Sequence, residues 1–452
     1  MPRKARGSSE PDPDPFRDFE LQDETADALI VAGEAANVGE FEAEPFSEGR
    51  DRRAVIAVTL AGIAAFCNLY ATQPLLPLFE QIFHATKSEV GRTVSAATLG
   101  VAFSAPFCGA LAERVGRRKV IVLSIFILAL PTLLAGTASG LSQLVVWRLL
   151  QGLAMPGIFA VTIAYIAEEW PPHRAPQVMS TYVTGAVFGG FLGRIFTGFA
   201  ATHRLIPLVE PSWRDGFVAI AALDLVFGVL LWRWLPHDSP LPLHNTDDNA
   251  DESGFLRGFM RHLRNPQLLA TFAVGFNVLF TLVAAFTYVT FYLAAPPFRL
   301  SPAQLSMLFM VYLVGLVVTP AGGIFIARAG SRTALICALL AGIVGVLLTL
   351  VPNLLVILCG LVLCSSGVFV CQSASTSYIQ REAQSGGRAS AAGLYVMFYY
   401  MGGSAAGVLP GMLWRYGQWK ACVALIVFVQ VATVAIAALF WRGREAFEGS
   451  AA

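Results

Sequence analysis

A handful of polar side chains stands inside an otherwise apolar chain, and their types and spacing define the chemistry open to it. Asp224 is the one carboxylate deep within a long apolar run, at a depth similar to Arg148 and Arg194, two arginines that also sit in apolar surroundings. A carboxylate so placed can exchange a proton, and a guanidinium so placed needs a partner or hydration, because burying it bare is costly. An ion pair among the three is geometrically open; a structural pair or a buried neutral acid stands beside the proton-carrier reading. Asn277, Thr281, Tyr288 and Tyr292 follow one another at spacings of 4, 7 and 4 and so share one helical face. With Asn68, Gln73, Gln372 and Thr376 they are candidates for recognising a polar small molecule, the alternative being hydrogen bonds between helices. Other chemistries lack their residues. There is no His-Glu-x-x-His, no Gly-x-Ser-x-Gly and no Gly-x-x-x-x-Gly-Lys-Ser/Thr phosphate loop, and the 6 histidines stand apart. Neither an enzyme nor a metal or cofactor site is expected. Cys67, Cys108, Cys337, Cys359, Cys364, Cys371 and Cys422 all fall in apolar runs and read as small core residues.

The elements that must position these groups are membrane helices. Of 452 residues, 56% are hydrophobic and 13% charged, against about 25% charged in soluble domains. Acidic residues crowd into the N-terminus, where 13 of the 30 lie in the first 50 positions. A net charge of +1 without a basic stripe excludes nucleic acid as a partner. About 20 apolar residues cross about 30 Å of hydrocarbon. Twelve such spans are expected near 54–79, 92–112, 119–138, 142–167, 176–200, 214–235, 267–294, 304–327, 333–351, 353–379, 389–414 and 419–441. The chain then divides into an acidic, disordered tail (1–50), a six-helix bundle (51–235), a polar linker (236–265), a second six-helix bundle (266–442) and a short tail (443–452). Arg3, Lys4 and Arg6 precede a Pro-rich acidic stretch without the apolar core of a signal peptide. Alternate connections hold 18 Lys and Arg against 7 on the other side, which places both termini in the cytoplasm.

The two bundles read as copies. A shift of 214 takes Gly109 to Gly323, Arg114 to Arg328, Gly116 to Gly330, Arg118 to Arg332, Glu168 to Glu382, Arg174 to Arg388, Gly189 to Gly403 and Gly193 to Gly407. One constant offset serving several separate loops and helices points to a duplicated six-helix unit with a pseudo-two-fold axis along the membrane normal.

The second connection reads Gly109-Ala-Leu-Ala-Glu113-Arg114-Val-Gly116-Arg117-Arg118. It resembles the loop signature of the major facilitator superfamily, Gly-x-x-x-Asp-Arg-x-Gly-Arg-Arg, with Glu113 where the family has Asp. The resemblance implies a cytoplasmic latch in which Glu113 pairs with arginines of neighbouring helices, and Glu168, Arg174, Arg328, Gly330, Arg332, Glu382 and Arg388 supply further charges and turns at the same face. A plain positively charged loop is the alternative. In the fourth span, Leu144-x-x-x-Arg148-x-x-Gln151-Gly152 is similar to a second family signature, whose Arg faces the central cavity and is often linked to proton movement; snorkelling to the outer surface is the competing reading. Pro74-Leu-Leu-Pro77 looks like the Pro-x-x-Pro at the outer end of the family's first helix, where paired prolines free backbone carbonyls and bend the chain. Gly185, Gly189 and Gly193 at spacing four, followed by Arg194, resemble the glycine-rich fifth helix of proton-coupled exporters, although Gly190 replaces its proline and Arg194 a glycine. Static close packing would use the same glycines. With Tyr399-Tyr400-x-Gly402-Gly403-Ser404 in the eleventh span, the pattern looks more like the arabinose-efflux-permease-like branch and its YnfM-like bacterial inner-membrane proteins.

The resemblance covers about residues 54 to 441 and implies the fold class: an all-α integral membrane protein, twelve transmembrane helices in two pseudo-symmetric six-helix bundles. It implies a monomeric secondary transporter of the bacterial inner membrane. The cavity would be lined by Asn68, Gln73, Arg148, Gln151, Gly152, Asn277, Thr281, Tyr288, Tyr292, Gln372, Thr376 and Tyr399, and would take a small neutral or anionic molecule. Proton-driven efflux by alternating access is the expected activity. Proton-symport uptake and a non-transporting membrane sensor or assembly protein are the alternatives.

Overall fold

Apolar helices that must satisfy every backbone group internally account for the architecture. The computed structural model describes residues 48–204, 210–238, 262–382 and 388–441. The expectations for the acidic tail, the linker beyond residue 238 and the C-terminal tail fall on residues outside these ranges. The first span runs as Glu48–Leu69, breaks, and resumes as a 3-10 turn Gln73–Leu75 and a helix Leu76–Ile82. Lys87–Val115, Arg117–Gly136, Leu141–Glu169, Ala175–Ala200 and Trp213–Trp234 complete the first six. Pro266–Ala294 is the seventh, and the eighth is assembled from Pro302–Met307, a 3-10 stretch Leu308–Val314, and Gly315–Ala329. Ser331–Leu348, Leu354–Glu382 and Arg388–Phe440 follow. The last run of 53 residues is far longer than one crossing needs, and its helical backbone is broken at Gly417 (φ −164°, ψ 18°) and Gln418 (φ 50°, ψ −134°). It supplies the eleventh and twelfth spans on either side of that break, so among the described residues 11 continuous apolar stretches make twelve crossings.

Most helix contacts fall within the first six spans or within the last six. In the first half the first span lies against the fourth, fifth and sixth, and the third against the fourth and sixth; in the second half the seventh packs on the tenth and on the last run, and the ninth on the tenth. The halves are joined chiefly by the second span against the eleventh and the fifth against the eighth, and also by the outer part of the first span against the seventh and eighth. The copies also agree in local geometry. Gly116 and Gly330, 214 apart, each close a helix at positive φ (101° and 81°), where a side chain would be strained. Two residues on, Arg118 donates to the carbonyls of Trp232 (2.7 Å) and Leu235 (2.8 Å) at the end of the sixth span. Arg332 donates to the carbonyl of Ala438 (2.5 Å) near the end of the twelfth. Both arginines therefore cap the last helix of their own half, as cations do at helix C-termini. Five cysteines are buried, while Cys337 and Cys359 are exposed, on the outer surface of the bundle rather than in its core.

Candidate functional site

The break in the first span organises the polar interior. Pro74 and Pro77 cannot donate backbone hydrogen bonds, the chain tightens into a 3-10 turn, and carbonyls near the break are left for side chains to satisfy. Arg148 does most of this. It is fully buried, and it donates to the carbonyls of Thr93 (3.1 Å), Asn68 (2.8 Å) and Leu69 and to Gln151 Oε1 (2.6 Å). Thr197 Oγ1 donates to the carbonyl of Ala71 at 2.6 Å. Arg148 thus neither snorkels nor stands open in a cavity; it is a clamp on the broken helix.

Asn68 is the hub beside it. Its Nδ2 donates to both oxygens of Asp224 (3.1 and 2.9 Å), and its Oδ1 accepts from Thr132 (2.7 Å) and Gln151 (3.3 Å). Gln151 also donates to Thr132 Oγ1 at 2.7 Å. Asp224 is 1% exposed, and among the described residues neither Arg148 nor Arg194 pairs with it. Of the arrangements left open for Asp224, the structure has an amide partner in place of an ion pair, because the carbonyls of the broken first span take Arg148 and Asn68 faces the sixth span. Thr132 was not anticipated; a threonine in an apolar helix carries no signal of its own.

Arg194 sits elsewhere, in an aromatic box built by both halves. Its guanidinium lies 4.9 Å from the ring centre of Tyr70, 4.3 Å from Phe309 and 5.0 Å from Tyr312, the last two on the 3-10 stretch of the eighth span. Nε donates to Gln73 Oε1 (2.9 Å) and Nη1 to the carbonyl of Gly190. Gln73 in turn donates to Thr287 Oγ1 at 3.0 Å, across to the other half. The fifth span reaches this position because Gly185, Gly189 and Gly193 let it press on Thr59, Ile63 and Cys67 of the first; a Cβ at Gly185 would meet Thr59 at 2.7 Å. Gly152 likewise faces the backbone of Ala97, and Gly403 faces Leu279.

The polar stripe of the seventh span does not form one site. From Asn277 to Tyr292 it climbs about 22 Å at 1.5 Å per residue, past different neighbours. Thr281 donates to Asn277 (3.0 Å), and both line a small cleft of about 10 Å³ with Gln430, whose amide is buried without a partner. Tyr288 donates to the carbonyl of Gly407 (2.6 Å) where the second, seventh and eleventh spans meet, and Tyr292 stacks on Trp419 at 6.1 Å. Thr376 is turned back onto the carbonyl of Ser373 (3.0 Å), whereas Tyr399 and Gln372, both half-buried, meet at 3.4 Å. Phe159 of the fourth span and Tyr400 of the eleventh touch across the halves at 6.0 Å.

At the face that carries the arginine loops, the ion pairs among the described residues lie within the first half. Arg117 pairs with Glu168, Arg174 with Asp51, and Arg118 receives Asp238 on its backbone N–H at 2.8 Å. Asp51 and Asp238 were missed as partners because they belong to the edges of the tail and linker. Glu113 and Arg114 are exposed, a Cβ at Gly109 would meet nothing within 4 Å, and Glu113 forms no ion pair among the described residues. The side chains of Glu382 and Arg388 lie outside the described residues; Arg328 ends the eighth span. The opposite face is tightly joined instead. Gly91 and Gly407 bring two backbones together with no room for a Cβ, Ser95 donates to the carbonyl of Ser404 (2.5 Å), and Gly198 faces Pro302 and Ser306. Lys87, paired with Glu80, lies over Phe291 (5.3 Å) and Trp414 (5.1 Å) of the other half.

Comparison with known proteins places this geometry. Residues 58–408 match the family model described as Major Facilitator Superfamily. An uncharacterized transporter of Buchnera aphidicola subsp. Schizaphis graminum is 32% identical over 83% of this chain and 88% of its own length. The inner membrane transport protein YnfM of Escherichia coli is 28% identical over 84% of this chain and 88% of its own. Among solved structures, a bacterial homologue of the human lysosomal transporter Spinster, inward-facing and unoccupied, superposes with a TM-score of 0.68 at 17% identity, over 87% of this chain and 96% of that one. The xylose transporter XylE from E. coli, in a partially occluded inward open conformation, gives 0.67 at 17% identity over 88% and 99%. A family match across most of the helical body, relatives of nearly the same extent and a shared fold of two six-helix bundles lead to one conclusion: this chain belongs to the major facilitator superfamily and is a multi-pass membrane transporter.

Proposed function

We propose that the transporter exports a small organic molecule in exchange for protons, by alternating access between its two six-helix halves. The observation that carries this reading is the distribution of contacts between the halves. They interlock at the end of the bundle holding Gly91, Gly407 and Lys87, while at the other end the ion pairs of the described residues, Arg117–Glu168 and Arg174–Asp51, both lie within the first half. That is the arrangement of a carrier closed on one face and open toward the other. The excess of Lys and Arg on the connections of the open face supports a cytoplasmic orientation for it and for both chain ends in a bacterial inner membrane. The protein works as a monomer, performs no catalysis, and needs no cofactor. In the opposite state Glu113 and its arginines close the cytoplasmic face as a latch.

Asp224 supports proton coupling. It is a buried carboxylate with a neutral amide for a partner, and protonation changes what Asn68 can donate to it and hence what Asn68, Thr132, Gln151 and Arg148 do together. The test is flux in proteoliposomes under an imposed pH gradient, with substrates drawn from a ligand-stabilisation screen of drugs, sugars and organic acids. Uphill accumulation should follow the gradient, and its sign distinguishes export from symport uptake. Asp224→Asn should abolish accumulation yet spare substrate exchange, which moves no net proton. Full uphill transport by that variant would make the acid structural, and no substrate-dependent flux for any compound would favour a sensor or assembly role.

A further inference from the structure

The two buried arginines differ in what they leave free. A guanidinium has five N–H donors in one plane. Arg148 spends its donors on three backbone carbonyls and Gln151, and every side of its plane is engaged. Arg194 makes two hydrogen bonds, to Gln73 and to the carbonyl of Gly190, and forms no ion pair among the described residues. Three of its N–H groups are therefore unengaged. The rings of Tyr70, Phe309 and Tyr312 lie over the cation and cannot accept in its plane. An unspent in-plane edge on a desolvated guanidinium is the geometry that a carboxylate fills with two parallel hydrogen bonds.

The surroundings define the rest of the ligand. Gly190 is buried beside the edge and spares a side chain there: a Cβ would stand 3.4 Å from Arg194 Nη1 and 4.0 Å from Phe66 Cβ, in ordinary contact with both. Phe66 is half-buried and continues into a chain of rings, Phe66–Phe159 at 5.8 Å, Phe159–Tyr400 at 6.0 Å and Tyr400–Tyr399 at 5.2 Å. Those rings come from both halves, as does the box around Arg194.

We propose that Arg194 is the recognition residue for the carboxylate of an aromatic organic acid, whose ring packs against Phe66 and the tyrosines that follow it. This rests on the transporter reading above and names its substrate class. Arg148, the arginine to which the family signature points, then has no contact with the ligand.

Binding is measured on the purified full chain by thermal stabilisation and calorimetry, with benzoate and phenylacetate as probes, benzyl alcohol and benzamide as neutral counterparts, and acetate as the acid without a ring. The two aromatic acids should bind saturably and the other three should not. Arg194→Gln should weaken the acids by about tenfold or more, the effect of losing charge-assisted hydrogen bonds. Gly190→Leu should weaken them as well while keeping the arginine and its box, so the conclusion survives if Arg194→Gln fails to fold. Neutral compounds binding as well as the acids, acids binding Gly190→Leu at full affinity, or no binding of either acid would each overturn the assignment. Because binding is read without flux, a transporter that moves some other class of compound would sink this inference alone, and absence of all flux would sink the transport reading alone.

Discussion

Arg148 and Asp224 are held by neutral groups, which makes their partners worth more than their charges suggest. Removing Arg148 as Arg148→Met takes its donors from the Leu69 carbonyl and from Gln151 Oε1, each at about 1–3 kcal/mol if nothing replaces it, whereas Thr93 keeps its bond within the second span and the Asn68 carbonyl keeps the N–H of Ala71 (3.4 Å). The variant should lose stability by about two such increments, read as a fall in thermal midpoint in detergent, and Arg148→Lys should recover only part. An Arg148→Met protein as stable as the parent would show that the clamp is idle. Residue identities at this scale were readable in the sequence, because Asn68, Arg148, Gln151, Arg194 and Asp224 are polar groups in apolar runs. Their pairing was not. Asn68 and Asp224 are 156 positions apart, and depth along two helices cannot say which of three cationic or amide groups turns toward an acid.

Single helices carry the next level of control, and the second and eleventh spans control closure of one face. Gly91 and Gly407 touch backbone to backbone, so Gly91→Leu cannot be accommodated without parting the two helices. A cysteine introduced at Ser95, which now donates to the carbonyl of Ser404, should be labelled by a polar thiol reagent several-fold faster in that background. Unchanged labelling would mean that the crossing is not the closure point. Span positions were legible to within a few residues because length and hydropathy alone set them, and the break at Gly417 and Gln418 falls between the expected eleventh and twelfth spans. The bend of the first span was announced by Pro74 and Pro77. The 3-10 stretch Leu308–Val314 was not, since it contains neither Pro nor Gly and is imposed by packing against the fifth and tenth spans.

At the scale of the whole molecule, the proposed alternating access requires two closed states of comparable stability, and in it the grip of Lys87 on Phe291 and Trp414 weighs one against the other. Cation–π contacts of this kind contribute about 0.5–2 kcal/mol, so Lys87→Gln should shift the balance of faces by about 2- to 30-fold toward opening at that end, followed by the same Ser95 cysteine. No shift would assign closure to the glycine crossing alone. The repeat was the most legible large-scale feature, and Gly116 with Gly330 and Arg118 with Arg332 repeat one turn and one cap in each half. The same offset of 214 relates Gln73 to Thr287, the pair that hydrogen-bonds between the halves. Two positions related by a two-fold axis can touch only on the axis, so this contact marks a fulcrum. Gln73 stands 22 residues from the start and 9 from the end of the Asp51–Ile82 span, roughly 33 Å and 14 Å along the helix. A lever pivoted there has arms in a ratio of between two and three to one: for any given rotation of the halves the arginine-bearing ends sweep a wide arc, while the glycine-sealed ends need only crack apart.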